Sequence, residues 1–120
     1  MTTECLTRAS DAYLAPRTQE EELEQTVREL AGYGVFSNRN LQAITGLNEH
    51  YIATITAKSS KTGGRLNPVT LPLMVKLAED WHSGVRNEHV ARVIVNSGTS
   101  VGMVSKLCGI PYSAVAWLVR

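Results

Sequence analysis

The chain has 120 residues, of which 43% are apolar and 19% are charged, and its formal net charge is +1. This length fits one domain or two very small ones, and the apolar content is enough for a modest core. No apolar run approaches the roughly 18–20 residues that span a bilayer, and residues 1–16 lack the basic start and apolar stretch of a secretory signal.

Charge is divided unevenly along the chain. Residues 1–30 hold seven acids and three bases, whereas residues 31–120 hold nine bases and four acids. An excess of bases over residues 31–120, after an acidic segment at 1–30, fits a protein that binds a polyanion. It fits equally an ordinary domain with a solvated acidic helix face, so charge alone leaves both interpretations open.

Two cysteines, Cys5 and Cys108, lie near opposite ends of the chain. They allow a disulfide, but reduced thiols in a cytoplasmic protein fit better. The three histidines are scattered and no CxxC or HxxxH motif is present, so we expect neither a metal nor a cofactor. We expect no enzyme, because the sequence contains no nucleophile–base pair, carboxylate dyad or phosphate-binding loop.

The first helix is predicted over about 19–31. Residues 1–17 are polar and mixed, and we interpret them as a mobile N-terminal arm. Thr18 and Glu21 have the spacing of a capping box, and apolar residues then recur at helical spacing until Gly32.

Two short helices with a glycine between them follow. Ser37 or Asn38 caps the first of these helices, which ends at Gly46. The second covers about 49–58 and leads into a small, polar loop over 58–65 that contains paired glycines and three positive charges.

The next helix opens at Asn67 or at Thr70. Pro72 favours Thr70, because proline is best tolerated in the first turn of a helix. We expect this helix to bury an apolar stripe and to end at Ser83-Gly84; the stripe consists of Leu71, Met74, Val75, Ala78 and Trp81.

Three more helices complete the chain. Asn87 caps one that ends at Gly98, Thr99 or Ser100 caps one that ends at Gly109, and the last covers about 112–120. No segment has the sustained alternation of a β-strand. The sequence therefore predicts an all-α protein of about seven short helices.

Two segments of the chain match when Gly46 is placed over Gly109. In each, an apolar residue lies five positions before the glycine, and others lie one, six and nine positions after it. Glycine permits the positive φ that reverses the chain between two helices, and the apolar residues pack those helices together. This is the helix-turn-helix pattern.

The two units resemble different helix-turn-helix families. Residues 18–82 resemble the lambda-repressor/Cro-like domain, with a leading helix, the helix-turn-helix over 38–57, a loop and a closing helix that starts with "NPVTL". The segment "SVGMVSKLCGIPYSAVAWLVR" resembles the three-helix type of homeodomain-like regulators and resolvases. The tandem is similar to temperate-phage immunity repressors of actinobacterial phages.

These resemblances imply a lambda-repressor-like domain over 18–84 and a homeodomain-like unit over 85–120. They also imply a sequence-specific, double-stranded-DNA-binding repressor in the cytoplasm of a bacterial host. The position four residues before the turn glycine, usually Ala in the family, is Gln42 in the first unit and Ser105 in the second. Ser is small enough, but Gln42 requires a different tilt of the helices or a close contact made by Ala43.

The second helix of such a unit lies in the major groove, and its N-terminal residues reach base edges. The residues expected to read bases are Asn48, Glu49, His50 and Thr54 in the first unit, and Tyr112, Ser113, Trp117 and Arg120 in the second. His50 can also be an ordinary exposed residue. Trp117 can instead pack on the first domain, which would make the second unit a device for stability.

Phosphate contacts need donors at helix N-termini and basic residues on adaptable segments. The residues expected to make them are Ser37, Asn38, Arg39, Asn40, Lys58, Lys61, Arg65, Thr99 and Ser100. The loop that holds the two lysines can equally be an ordinary solvated loop.

Two different reading heads in one chain allow a monomer to read an asymmetric site, whereas a single head usually requires a dimer on a near-palindrome. We therefore favour a monomer, with a dimer as the alternative. A different class of function is also open, namely an antitoxin-like protein-interaction module that uses the acidic segment 18–30 or the apolar tail and binds DNA weakly.

Overall fold

The computed structural model describes residues 4–15, 20–57 and 64–120, and this part of the chain is all-α, as predicted. A 3₁₀ turn, Pro68–Thr70, runs directly into the fifth helix. The α-helices of the described residues are α1 (Glu4–Leu14), α2 (Glu20–Ala31), α3 (Asn38–Thr45), α4 (Glu49–Thr56), α5 (Leu71–His82), α6 (Glu88–Asn96), α7 (Val101–Cys108) and α8 (Tyr112–Leu118).

Helix α1 lies where the sequence predicted a mobile arm, and over 4–14 that prediction is wrong. Leu6 and Ala9 are fully buried, and α1 contacts α2, α3, α5 and α7. The Arg8 guanidinium also donates two hydrogen bonds to the Glu29 carboxylate of α2, at 2.7 and 2.8 Å. The first helix of the chain therefore packs against elements of both helix-turn-helix units.

Helix α5 lies at the centre of the fold and contacts α1, α6 and α7. Its predicted stripe is only partly correct, because Leu77 is fully buried and was not included, while Trp81 is half-buried. The guanidinium carbon of Arg86 lies 3.8 Å from the centre of the Trp81 ring, a cation–π contact. The buried apolar residues of both units form one continuous core around this helix.

Most helix ends follow the predicted capping residues. The side chains of Ser37, Asn87 and Ser100 accept hydrogen bonds from the backbone at the starts of α3, α6 and α7. Asn67 caps the 3₁₀ turn, and Thr70 then precedes α5 without a capping side-chain bond. The predicted cap at Thr18 lies outside the described residues.

Two predicted helices are shorter than expected. The helix predicted over 49–58 ends at Thr56, and Ala57 takes a left-handed conformation with φ of 53°. The last helix ends at Leu118 rather than at residue 120.

Residues 64–67, which have no regular secondary structure, contact both helix-turn-helix units. The carbonyl oxygen of Gly64 accepts a hydrogen bond from the Asn40 amide group of α3, at 3.1 Å. The carbonyl oxygen of Arg65 accepts one from the backbone N–H of Ser100, at 2.9 Å. Because the start of α3 and the start of α7 bind the same segment, the two units hold a fixed relation to each other.

None of the helices in the described part of the chain is both long enough and apolar enough to cross a membrane.

Candidate nucleic-acid interface

The two helix-turn-helix units have the same local geometry. In each, a serine (Ser37 or Ser100) caps an eight-residue helix, and a glycine nine positions later (Gly46 or Gly109) ends it in a left-handed conformation. The glycine N–H donates to a carbonyl four residues back, at 2.8 Å in the first unit and 3.1 Å in the second. The second helix begins three residues after the glycine in both.

Two of the four apolar positions that defined the motif are buried in both units. Leu41 and Ile52 in the first unit, and Val104 and Val115 in the second, are at most 1% exposed. The positions one and nine residues after the glycine differ, since Ile110 and Leu118 are buried while Leu47 and Ile55 are half-buried. The packing of the two units therefore matches at the first two positions and is looser at the other two in the first unit.

The bulky Gln42 side chain, four residues before the turn glycine, is exposed and does not enter the packed contact between the two helices. In the second unit, the Ser105 hydroxyl donates to the carbonyl oxygen of Ile110 at 2.7 Å and so braces the turn.

The first unit presents an open cleft of about 530 Å³ between its two helices. His50 is exposed and Glu49 is half-buried. The Asn48 side chain accepts the His50 N–H at 2.8 Å and thereby caps α4. The cleft is lined by Asn38, Gln42, Asn48, Glu49, His50 and Ala53, of which Asn48, Glu49 and His50 were predicted to read bases.

Farther along α4, the exposed Thr54 donates its hydroxyl proton to the Tyr51 carbonyl oxygen at 2.6 Å.

The second unit presents an exposed face on α8. Tyr112 is 62% exposed and Trp117 is 57% exposed, and Ser113 and Arg120 are exposed beside them. The alternative in which Trp117 packs on the first domain is therefore wrong. Unlike Asn48, the capping residue Pro111 makes no side-chain bond to the helix start.

Three of the predicted phosphate contacts, Ser37, Asn40 and Thr99, are occupied within the fold. They are 7%, 3% and 1% exposed. Ser37 and Asn40 form a reciprocal capping box at 3.0 and 3.1 Å, and the Thr99 hydroxyl accepts the Asn67 N–H at 3.0 Å. Their side chains are nearly buried and bonded within the fold, so little of them is accessible to a phosphate.

The other residues predicted to contact phosphate differ in how exposed they are. Arg39 and Arg65 are exposed, Ser100 is half-buried as a cap, and Asn38 is 5% exposed in the wall of the cleft. The predictions for Lys58 and Lys61 lie outside the described residues.

Ion pairing separates the basic residues of the described segments into two groups. Arg8, Arg28, Lys76 and Arg92, on α1, α2, α5 and α6, are each paired with a carboxylate. Arg39, Arg65, Lys106 and Arg120 are exposed and are in none of these pairs. Arg86 is also exposed and outside these pairs, but its guanidinium lies over the Trp81 ring. Among the described residues, the exposed cations that make neither contact thus lie on or next to the helix-turn-helix units and on residues 64–67.

Lys106 is the candidate that the sequence analysis missed. It lies in the last turn of α7, three residues before the turn glycine. Its signal was present in the sequence, because no acidic residue occurs after Glu88.

Within residues 4–15, 20–57 and 64–120, no group of three or more His, Cys, Asp or Glu side chains is placed to hold a metal ion. Both cysteines are free thiols. Burial raises the pKa of Cys5 to about 11 and that of Cys108 to about 12, so neither forms a thiolate near neutral pH.

Comparison of the chain with protein-family models, curated proteins and solved structures finds no match in any of the three.

Proposed function

We propose that this protein binds double-stranded DNA at specific sequences through two helix-turn-helix units, as a transcriptional repressor of the phage-immunity type in a bacterial cytoplasm. The observation that carries the proposal is the repeated geometry around Gly46 and Gly109. In both units the second helix is held by a buried apolar face, and its N-terminal residues stay accessible. This is the arrangement by which such helices enter a major groove.

The distribution of charge supports the same function. Apart from Arg86, which stacks on Trp81, the exposed cations of the described residues without carboxylate partners are Arg39, Arg65, Lys106 and Arg120. Phosphate neutralisation supplies much of the affinity of DNA-binding proteins, and it requires cations that are not already paired within the protein. A net charge of only +1 is compatible with this, because many of the acids lie on α2, the leading helix of the first domain, and not on its helix-turn-helix.

The fixed relation between the units favours a monomer on an asymmetric operator. The longest dimension of the molecule is 39 Å, close to the roughly 34–36 Å that separate successive major-groove segments on one side of DNA. One chain is therefore long enough to face about one helical turn. A dimer on an inverted repeat is the competing arrangement.

Selection of bound sequences from a random DNA pool tests the proposal. We expect one enriched site without two-fold symmetry, bound by one protein molecule as measured by sedimentation. Affinity should fall steeply between low and moderate salt, as the release of counterions requires. A pool that shows no enrichment would refute sequence-specific binding, and two molecules on an inverted repeat would refute the monomer.

One observation supports the antitoxin-like alternative: Tyr112 and Trp117 are exposed and could contact a partner protein. Under that alternative, DNA binding is weak and without sequence preference. The same selection experiment therefore separates the two functions.

A further inference from the structure

We propose that the two reading helices use different chemistry, and that α8 recognises thymine through its C5-methyl group. This inference rests on the proposed DNA-binding function and concerns how the second unit obtains its specificity. The residues that would make the contact are Tyr112 and Trp117, with Ala116 between them on the same face.

The register of the two units places these residues at base-reading positions. Counting from the turn glycine, Tyr112 and Trp117 take the third and eighth positions, which Glu49 and Thr54 take in the first unit. Because the turns and helix starts match, the corresponding side chains project from corresponding places. The aromatic rings therefore stand where a groove-binding helix meets the base edges.

The two faces differ in what they offer to DNA. The α4 face presents a carboxylate, an imidazole and a hydroxyl, from Glu49, His50 and Thr54. The α8 face presents two rings that are more than half exposed and so offers much more apolar area, beside the hydrogen-bonding groups of Tyr112, Ser113, Trp117 and Arg120. In the major groove, the apolar feature that distinguishes one base from the others is the thymine methyl group.

Charge argues for DNA, rather than an apolar protein, as the occupant of this face. Glu88 is the last acidic residue of the sequence and is paired with Arg92 at 3.3 Å. Beyond it, Lys106 and Arg120 lie exposed on α7 and next to α8, with no acidic side chain in the same stretch. An exposed aromatic face that shares its helix-turn-helix with two unpaired cations complements a polyanion that carries apolar groups.

The test replaces each thymine of the selected operator in turn by deoxyuridine, which removes only the C5-methyl group. We expect the sensitive positions to cluster in one part of the site, with affinity falling by about fourfold per contacted methyl, the effect of losing one buried carbon. Trp117→Ala and Tyr112→Ala should bind the thymine operator more weakly and should lose this sensitivity. Leu14→Ala, which removes an exposed apolar side chain on α1 outside both helix-turn-helices, should retain both the affinity and this sensitivity.

The possible failures are distinguishable. If all thymine positions tolerate deoxyuridine while wild-type affinity and selectivity are normal, the methyl-contact proposal is wrong and the proposed function stands. If no DNA is bound specifically, the proposed function itself fails. If the free protein is a dimer that Trp117→Ala converts to a monomer, the face serves self-association and the proposal is overturned. Thermal unfolding of each variant checks its fold, which the exposure of both rings should leave intact.

Discussion

The hydroxyl oxygens of Thr70 and Thr99 lie 2.7 Å apart in the buried contact between the two helix-turn-helix units. The Thr70 hydroxyl also lies 2.7 Å from the Asn67 carbonyl oxygen, and the Asn67 amide group donates to the Ser97 carbonyl oxygen at 2.6 Å. No buried side-chain nitrogen or oxygen in the described part of the chain lacks a hydrogen-bond partner. The contact between the units is therefore a polar network that runs from the buried Thr70 and Thr99 hydroxyls to the surface and leaves no buried side-chain group without a partner.

Thr99→Val should lower the free energy of unfolding by about 1–3 kcal/mol, because the Asn67 N–H and the Thr70 hydroxyl lose a buried partner. Thr99→Ser keeps the hydroxyl and loses one methyl group, at a cost of about 1 kcal/mol. Urea unfolding of both variants measures the difference. A valine variant at least as stable as the serine variant would contradict the assigned role of the network.

Leu6→Ala should lower the free energy of unfolding by about 2–5 kcal/mol, because Leu6 is completely buried. Leu14→Ala is the matched control on the same helix, since that leucine is exposed, and it should change the free energy by less than about 0.5 kcal/mol. Denaturant unfolding compares the two. Equal effects would mean that α1 does not belong to the core.

The pair formed by Arg8 and Glu29 should make stability fall in acid. The hydrogen bond from Arg8, with the attraction of its charge, lowers the pKa of the Glu29 carboxyl. A carboxyl whose folded pKa is depressed stabilises the fold above its unfolded pKa of about 4.3, and this contribution disappears as the pH falls through the folded pKa.

The difference in stability between the wild type and Arg8→Met should therefore be largest near neutral pH and should shrink below about pH 4. The effect should be small and sensitive to salt, because both side chains are well exposed. Unfolding curves across this pH range measure it. A difference that persists unchanged in strong acid would instead assign it to packing of the arginine stem.

Arg39→Ala should weaken binding to all DNA sequences alike and should reduce the slope of log affinity against log salt by about one. Lys76→Ala is the matched control, since this exposed cation is paired with Asp80 on α5, and it should leave the slope unchanged. Titration of labelled DNA at several salt concentrations distinguishes them. Equal slopes for the two variants would remove Arg39 from the interface.

His50→Ala should change sequence preference rather than overall affinity. Loss of a contact to one base edge is worth about 1–3 kcal/mol of discrimination at that position and leaves the others unaffected. Repeating the selection with this variant measures it. A uniform loss at all positions would indicate a phosphate contact instead.

The sequence predicted the helix-turn-helix geometry well because strong local signals determine it. Gly46 and Gly109 have φ values of 78° and 68°, which other residues rarely adopt, and the apolar residues around them recur at helical spacing. Helix α1 lacks such signals. Its buried face uses Leu6, Ala9 and Ser10, and two of these are too small to stand out as an apolar stripe. Their burial depends on α5 and α7, which are distant in the sequence.

The sequence could not tell residues that contact phosphate from residues that cap a helix. A serine or asparagine at a helix start can bind a phosphate or cap its own helix, and both roles use the same residue types at the same positions. Ser37 and Asn40 form the capping box at the start of α3, and the Thr99 hydroxyl accepts a hydrogen bond from the Asn67 N–H. The choice between the roles depends on burial, which is determined by the tertiary packing.

The contacts of α1 also affect the order in which the protein can fold during synthesis. Residues 4–14 leave the ribosome well before α7, yet they pack against it. Until α7 has emerged, the apolar side of α1 has only part of its partners and remains exposed to chaperones and proteases. Synthesis that stops before α7 would thus leave an unprotected chain, and the cell would accumulate molecules with both helix-turn-helix units in preference to molecules with one.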